Sequence, residues 1–153
     1  MSLRLFGKEV SESAHMFLKG LQLVGVLYCV KTYGVDFSTT WGASMVPLIK
    51  EEGNIVLVDK LTPRWTGWRR GDVVVAAVPT DGHLVLKRIA GMPGEEMAVG
   101  KRSVVVPPGQ TWLLGDNRPA SLDSRSYGPV PMALIQGRVA AIVWPPSDFK
   151  ILV

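Results

Sequence analysis

A serine and a lysine are the residues of this sequence whose types and settings could carry out covalent chemistry. Ser44 lies in the stretch WGASMVPLIK, residues 41–50, where a glycine and a proline flank it and predict a tight turn. A serine hydroxyl is a weak nucleophile until a base removes its proton. Histidine is the usual base, but His15 precedes an apolar segment and His83 begins a predicted strand beside a turn. The sequence therefore directs the search for a base to a lysine.

The run HLVLKRIAG, residues 83–91, contains the candidate base. Strand alternation places Lys87 on the same face as Val85 and Ile89. Burial on such a face disfavours the charged ammonium and lowers the pKa of the lysine, as a base working near neutrality requires. On this strand alone, a lysine on a half-exposed face is the simpler interpretation. Taken together with Ser44, Lys87 completes a serine–lysine pair, which replaces the catalytic triad in some hydrolases.

The composition is that of one folded domain with many turns. The chain has 153 residues, of which 47% are hydrophobic and 20% charged, and this excludes a disordered chain. Its 11 prolines and 16 glycines are scattered, which favours short strands joined by turns. The net charge of +4 is spread along the chain without a nucleic-acid-binding motif, so we expect no nucleic-acid partner. The single cysteine, Cys29, excludes an internal disulfide, and we expect it to be a small buried hydrophobe.

An apolar segment near the N-terminus predicts a membrane-associated helix over about residues 16–32. Its cleanly apolar part, residues 23–30, is shorter than the roughly 20 residues that a confident spanning helix needs. Three interpretations stay open: a marginal transmembrane helix with a snorkelling Lys19, an interfacial helix, or a core helix. If the helix spans, the basic residues before it place the N-terminus in the inner compartment.

The remainder of the chain predicts an all-β barrel or sandwich, giving an N-terminal segment over 1–36 and a β-rich domain over 37–153. Short runs of branched apolar residues bounded by turn signals predict the strands. They are Asn54–Lys60, Asp72–Val78, His83–Ala90, Ser103–Val106, Gln110–Leu114 and Gly137–Trp144. A short helix is predicted over Pro131–Gln136, because proline suits its first position and Gly137 follows its end.

Four stretches together resemble the type I signal peptidase family, the serine–lysine leader peptidases. They are GASMVPLI, RRGDVVVAAVP, VLKRIAGMPGE and GDNRPASLDSRSYGPVP, in that order, and the resemblance covers roughly residues 17–148. It implies a compact signal-peptidase-like β-domain with one N-terminal membrane-associated helix. The short length and the tail RVAAIVWPPSDF resemble the mitochondrial inner membrane branch of the family, with a compact bacterial enzyme as the alternative.

The resemblance implies a role for each matched residue. Ser44 matches the nucleophile and Lys87 the general base, while Ser121 matches the hydroxyl that orients the lysine. Asp123 and Arg125 match a salt-bridged pair that supports the site, and their spacing on an extended segment would put both on one side.

The turn around the nucleophile both follows and departs from the family pattern. Met45 and Pro47 match residues that shape it, and the backbone N–H of Ser44 is expected to be one oxyanion donor. Some bacterial members carry a serine two residues before the nucleophile, whose hydroxyl is a second donor. Gly42 stands there, so the second donor in this chain must be another group.

The implied function is a membrane-bound serine endopeptidase that removes signal or sorting peptides from precursor proteins through an acyl-enzyme. The resemblance implies no metal or cofactor, a location at the mitochondrial inner membrane with the β-domain facing the intermembrane space, and a complex with a second catalytic subunit and a small accessory subunit. Two rivals are a catalytically inactive, membrane-anchored peptide-binding β-module and a self-cleaving repressor-type domain, for which the N-terminal segment is too short and apolar. Trp41, and to a lesser degree Trp65 and Trp68, are candidates for the membrane interface.

Overall fold

The computed structural model describes residues 2–152, with side-chain environments from residue 14 onward. The chain divides into two compact units, residues 1–34 and residues 35–153. The first unit consists of helix α1, Ser2–Cys29, and a π-helical turn, Val30–Gly34. It contains no proline, which allows the helix to begin well before the predicted segment. Within residues 2–152, no helix combines the length and the apolar character that crossing a bilayer requires.

The second unit is built almost entirely from antiparallel strands, as predicted for an all-β domain. The strands are β1 Val35–Trp41, β2 Glu52–Asp59, β3 Val73–Ala77, β4 Leu84–Gly91, β5 Glu96–Val99, β6 Arg102–Val105, β7 Gln110–Leu114, β8 Val130–Pro131, β9 Ile135–Trp144 and β10 Lys150–Ile151. The main sheet has the order β1-β2-β9-β3-β4-β7-β8, with β10 paired to β9, while β5 and β6 form a separate hairpin. Two one-turn helices, α2 Pro63–Thr66 and α3 Ser124–Tyr127, lie between strands.

The predicted strands are all present within a residue or two, but several local predictions differ from the structure. Strands β1, β5, β8 and β10 were not predicted, because none of them carries the run of branched apolar residues that marks the others. The helix predicted over Pro131–Gln136 is wrong: only a 3-10 turn, Met132–Leu134, forms there. Its flanking residues belong instead to β8 and β9, whose ladders provide more hydrogen bonds than one short helix could.

The core of the β unit holds the segment around Ser44 in place. Met45 and Ile49 are almost fully buried and pack in one cluster with residues of β2 and β9, including Val56 and Val139. Removing a large apolar side chain from such a cluster costs about 2–5 kcal/mol. The turn that carries Ser44 is therefore anchored, directly after the half-buried serine, by the same interior that joins the sheet.

Candidate active site

Ser44 occupies the middle of a 3-10 turn, Ala43–Met45, between β1 and β2. Gly42 begins the turn with φ of +99°, a conformation that side-chain-bearing residues rarely adopt. A Cβ at Gly42 would meet no atom within 4 Å, so the backbone conformation, and not lack of space, favours glycine there. The Val46–Pro47 peptide bond after the turn is cis. The departure from the bacterial serine at position 42 thus coincides with a backbone that suits glycine.

Lys87 meets Ser44 from strand β4. Its Nζ lies 2.7 Å from the Oγ of Ser44, although the two residues are 43 positions apart in sequence. The lysine is only 4% exposed, so it does not lie on a half-exposed strand face. Burial lowers the pKa of Lys87, and the negative charge of Asp123 partly opposes that shift. The arrangement places a lysine with a lowered pKa in hydrogen-bond contact with a serine hydroxyl.

Asp123 is the fully buried carboxylate beside this pair. It accepts hydrogen bonds from Arg125 Nε at 2.8 Å, from Ser121 Oγ at 2.8 Å and from the N–H of Gly115 at 3.1 Å. Burial by itself would raise the pKa of Asp123, but these hydrogen bonds, led by that of Arg125, outweigh it and lower the pKa. Asp123 is therefore a fixed negative charge near Lys87.

Two details of this cluster differ from the sequence-based expectation. Asp123 and Arg125 do form an ion pair, but not on an extended segment, because Asp123 is the N-cap of α3 and also accepts from the N–H of Arg125. Ser121 was expected to hydrogen-bond the lysine. In this structure its hydroxyl donates to Asp123, and the hydrogen bond of Lys87 goes to Ser44. The hydroxyl of Ser121 is consequently hydrogen-bonded to the carboxylate of Asp123.

Sequence reasoning missed the residues that join the turn of Ser44 to the segment after β7. The N–H of Asn117 donates to the carbonyl oxygen of Ser44 at 3.0 Å. Gly115 lies so close that a Cβ there would stand 2.6 Å from that same oxygen and 2.2 Å from Ser121 Oγ. Arg88, next to Lys87, forms a two-point ion pair with Asp116 at 2.7 and 2.8 Å. The quoted GDN stretch contained three of these residues, and its short polar sequence was the available signal.

A cleft of about 340 Å³ opens beside Ser44 between β1 and β4. Its lining comes from the end of β1 and the nucleophile turn, and from the first half of β4. The lining residues are Ser38, Thr39, Thr40, Trp41, Gly42, Ser44, Met45, Ile49, Val75, His83, Leu84, Val85, Leu86 and Lys87. Strand β7 pairs with β4 only from Arg88 to Gly91, and β1 is the terminal strand of the sheet. Within the described residues, both strands that flank the cleft thus present an edge without a strand partner.

The remaining candidate residues fall into three environments. Trp41 and Trp65 are strongly exposed, whereas Trp68 packs against the core. His83 lines the cleft and contacts Asp81. The prediction of a buried Cys29 is wrong: the cysteine is exposed, as are the other described side chains of α1. Residues 2–152 bring no three histidine, cysteine or acidic side chains together in a way that could hold a metal ion.

Comparison with known proteins confirms the predicted family. The family model described as signal peptidase, peptidase S26, matches residues 13–106 and 95–144. A protein of Schizosaccharomyces pombe named mitochondrial inner membrane protease subunit 1 is 43% identical over 131 residues, which cover 82% of this chain and 83% of that protein. An Arabidopsis thaliana protein named mitochondrial ATP-independent inner membrane protease subunit 1a is 37% identical over 151 residues, covering 93% and 88%. A signal peptidase I structure from Enterococcus faecalis V583 aligns with a TM-score of 0.41 and 27% identity, over 47% of this chain and 96% of that one.

Proposed function

Because the chain belongs to the signal peptidase family, peptidase S26, we propose that Ser44 and Lys87 form its catalytic dyad. The chain is a serine protease of the mitochondrial inner membrane type and a subunit of a protease complex, as its relatives are named. The observation that supports the dyad is the 2.7 Å contact between Lys87 Nζ and Ser44 Oγ, made by a lysine buried to 4% exposure.

The proposed reaction begins with proton transfer within this pair. Neutral Lys87 takes the proton of Ser44 while the serine oxygen attacks the scissile carbonyl. The N–H of Ser44 donates to the oxyanion that forms. The protonated lysine then returns its proton to the leaving amine, and the peptide bond breaks. Lys87, neutral again, takes a proton from a water molecule that hydrolyses the acyl-enzyme ester, and the proton returns to Ser44.

We propose that Asp123, Arg125 and Ser121 position this machinery without touching the substrate. The charge of Asp123 favours the protonated form of Lys87, so it stabilises the lysine once that residue has taken the serine proton. Arg125 and Ser121 hold the carboxylate in one orientation through their hydrogen bonds. Gly42, Met45 and Pro47 keep the turn in the shape that presents the Ser44 hydroxyl to the cleft.

We propose that an extended segment of a precursor protein enters the cleft by strand addition. The free edges of β1 and β4 flank the cleft, and an added strand obtains main-chain hydrogen bonds from such edges. The half-buried side chains of Ser38 and Thr40 on one wall, and of Leu86 on the other, would contact its side chains. The substrates are signal or sorting peptides of precursors, cleaved on the intermembrane-space side of the membrane. The partners are a second catalytic subunit and a small accessory subunit.

Cleavage of a membrane-protein precursor with a bipartite sorting signal tests the dyad. The full chain is assayed in detergent as wild type, Ser44→Ala and Lys87→Ala, and mass spectrometry maps the new N-terminus. Ser147→Ala and Lys101→Ala are matched controls, because both residues are exposed on the surface. We expect cleavage by the wild type and both controls only. Cleavage that persists in Ser44→Ala and Lys87→Ala would refute the dyad. Absence of cleavage by all variants, even after the partner subunits are added, would favour a peptide-binding module.

A further inference from the structure

One inward position of strand β2 is occupied by an amide and not by an aliphatic side chain. Asn54, Val56 and Val58 face the interior in alternation, and all three are buried. Asparagine is depleted in strands, and burial of an amide is costly unless its donors and its acceptor are hydrogen-bonded. Asn54 is only 1% exposed, so its hydrogen bonds must explain why an amide is present at this position.

The side chain of Asn54 joins two segments that are far apart in sequence. Its Oδ1 accepts from the N–H of Lys50 at 2.8 Å. Its Nδ2 donates to the carbonyl oxygen of Trp144 and to a carboxylate oxygen of Asp148, both at 3.1 Å. These bonds use the oxygen of the amide and both of its N–H groups. Asn54 thereby attaches Lys50 to the end of β9 and to the turn that follows it.

Lys50 lies near the end of the loop that carries Ser44, which we call the Ser44 loop, residues 42–51. The loop is closed at its base, because the N–H of Gly42 donates to the carbonyl oxygen of Glu51 at 2.7 Å. The interior anchors the middle of the loop, whereas Lys50 and Glu51 are exposed. The bond from Lys50 to Asn54 therefore holds the part of the loop that the hydrophobic core does not hold.

The backbone and the side chain of Asn54 contact different parts of the site. The carbonyl oxygen of Asn54 accepts from the hydroxyl of Thr40 at 3.2 Å, and Thr40 lines the cleft. The side chain of Asn54 instead accepts from Lys50 in the Ser44 loop. A substitution at position 54 removes the bond to the Ser44 loop but leaves the carbonyl that holds the cleft wall. Effects on chemistry and on substrate binding can therefore be separated.

We propose that Asn54 is a positioning residue, which keeps Ser44 Oγ within reach of Lys87 Nζ by holding the end of the Ser44 loop. The inference rests on the proposed dyad. Lys87 belongs to a strand of the main sheet, whereas Ser44 lies on a loop, and their contact of 2.7 Å requires that the loop be fixed to the sheet. A misplacement of about 1 Å in an active site lowers the rate about 100-fold. Asn54 supplies such an attachment without touching the substrate.

Steady-state cleavage of a precursor by the full chain tests this role, with partner subunits added and at a temperature well below the thermal midpoint of every variant. Asn54→Ala is expected to lower kcat at least about tenfold and to keep KM within about threefold of the wild type. Thr40→Val should show the opposite pattern, with KM raised at least about threefold and kcat retained, because its hydroxyl belongs to the cleft wall.

Thr111→Ala is the matched control for the loss of a buried hydrogen bond. Thr111 is fully buried and donates to the carbonyl oxygen of Gly91 at 2.9 Å, away from the Ser44 loop. This variant should lose stability but retain both kcat and KM. Amide hydrogen exchange provides a readout without catalysis: residues 42–51 should exchange at least about tenfold faster in Asn54→Ala, and at the wild-type rate in Thr111→Ala.

A rescue experiment tests the contact itself. Asn54→Asp keeps an acceptor for Lys50 but places a second carboxylate against that of Asp148, so kcat should fall. Adding Asp148→Asn restores one N–H donor and one carboxylate to the pair with their places exchanged. We expect the double variant to regain at least about fivefold in kcat over Asn54→Asp.

Three results would overturn the proposal. Asn54→Ala could retain the kcat of Thr111→Ala, which would make Asn54 a structural amide only. Its KM could rise with kcat unchanged, which would assign Asn54 to the cleft wall. Asp148→Asn could fail to restore kcat to Asn54→Asp, which would exclude this contact as the support of the loop. These results differ from a wild type that cleaves no precursor even with its partner subunits, which would overturn the dyad and the catalytic role of Asn54 with it.

Discussion

Gly115→Ala is the substitution for which the structure makes the sharpest quantitative prediction. A Cβ at this position would lie 2.6 Å from the carbonyl oxygen of Ser44 and 2.2 Å from Ser121 Oγ. Ordinary contact begins near 3.4 Å, so these atoms would have to move by about 0.8 and 1.2 Å, the differences between 3.4 Å and the two distances. Ser121 can rotate only by breaking its hydrogen bond to Asp123, and the carbonyl of Ser44 is backbone held by Asn117.

We therefore expect Gly115→Ala to displace the nucleophile while most of the domain stays folded. Overpacking costs about 1–3 kcal/mol of stability, and a displacement of about 1 Å in an active site lowers the rate about 100-fold. The assay compares kcat for precursor cleavage with the thermal midpoint of unfolding. Gly137→Ala is the control, because its Cβ would meet Val58 at 2.5 Å and the backbone of Asp59 at 3.0 Å. It should lose similar stability but retain kcat within about threefold. A Gly115→Ala enzyme with kcat like that of the control would refute this account of the site.

Three further predictions concern the charge of Lys87. The kcat/KM for cleavage should fall about tenfold per pH unit as the pH drops below the lowered pKa of Lys87, because the protonated amine cannot accept the serine proton. A kcat/KM profile that stays flat into the acidic range would contradict this. Asp123→Asn removes the charge that raises the pKa of Lys87, so the acid limb of the same profile should move to lower pH. Chemical denaturation of this variant should measure a loss of up to about 3 kcal/mol in the free energy of unfolding. An acid limb that moves to higher pH would be inconsistent with the structure. Lys87→Met should lower the cleavage rate more than about 100-fold yet raise the thermal midpoint. The difference in thermal midpoint between the variant and the wild type should shrink as the pH rises toward the usual lysine pKa. The reason is that burial of Lys87 is unfavourable mainly where the lysine is protonated in the unfolded chain. A variant midpoint that is unchanged or lower at pH values below the usual lysine pKa would argue against this account.

The sequence predicted the identity of the site residues better than their contacts. Lys87 was assigned to an apolar strand face, but alternation alone did not distinguish a half-exposed face from a buried one. Its burial depends on strands that meet only in the folded sheet, such as β3, where Val74 pairs with Lys87. Similarly, the family resemblance implied the pairing of Asp123 and Arg125, but their spacing did not predict its geometry. Asp123 caps helix α3, which is only one turn long and therefore too short to give a periodic signal in the sequence.

Strand β1 was missed for a reason that is connected with function. Three of its four outward positions are apolar or aromatic, as at Phe37 and Trp41, while its inward positions are polar, as at Ser38 and Thr40. This reverses the pattern of an ordinary half-buried strand, in which the inward residues are apolar. The reversal is explained by the cleft, because Ser38 and Thr40 face the space beside Ser44 and not the core. A sequence rule that assumes a packed interior therefore fails at β1, because the space that its inward side chains face is the cleft beside Ser44.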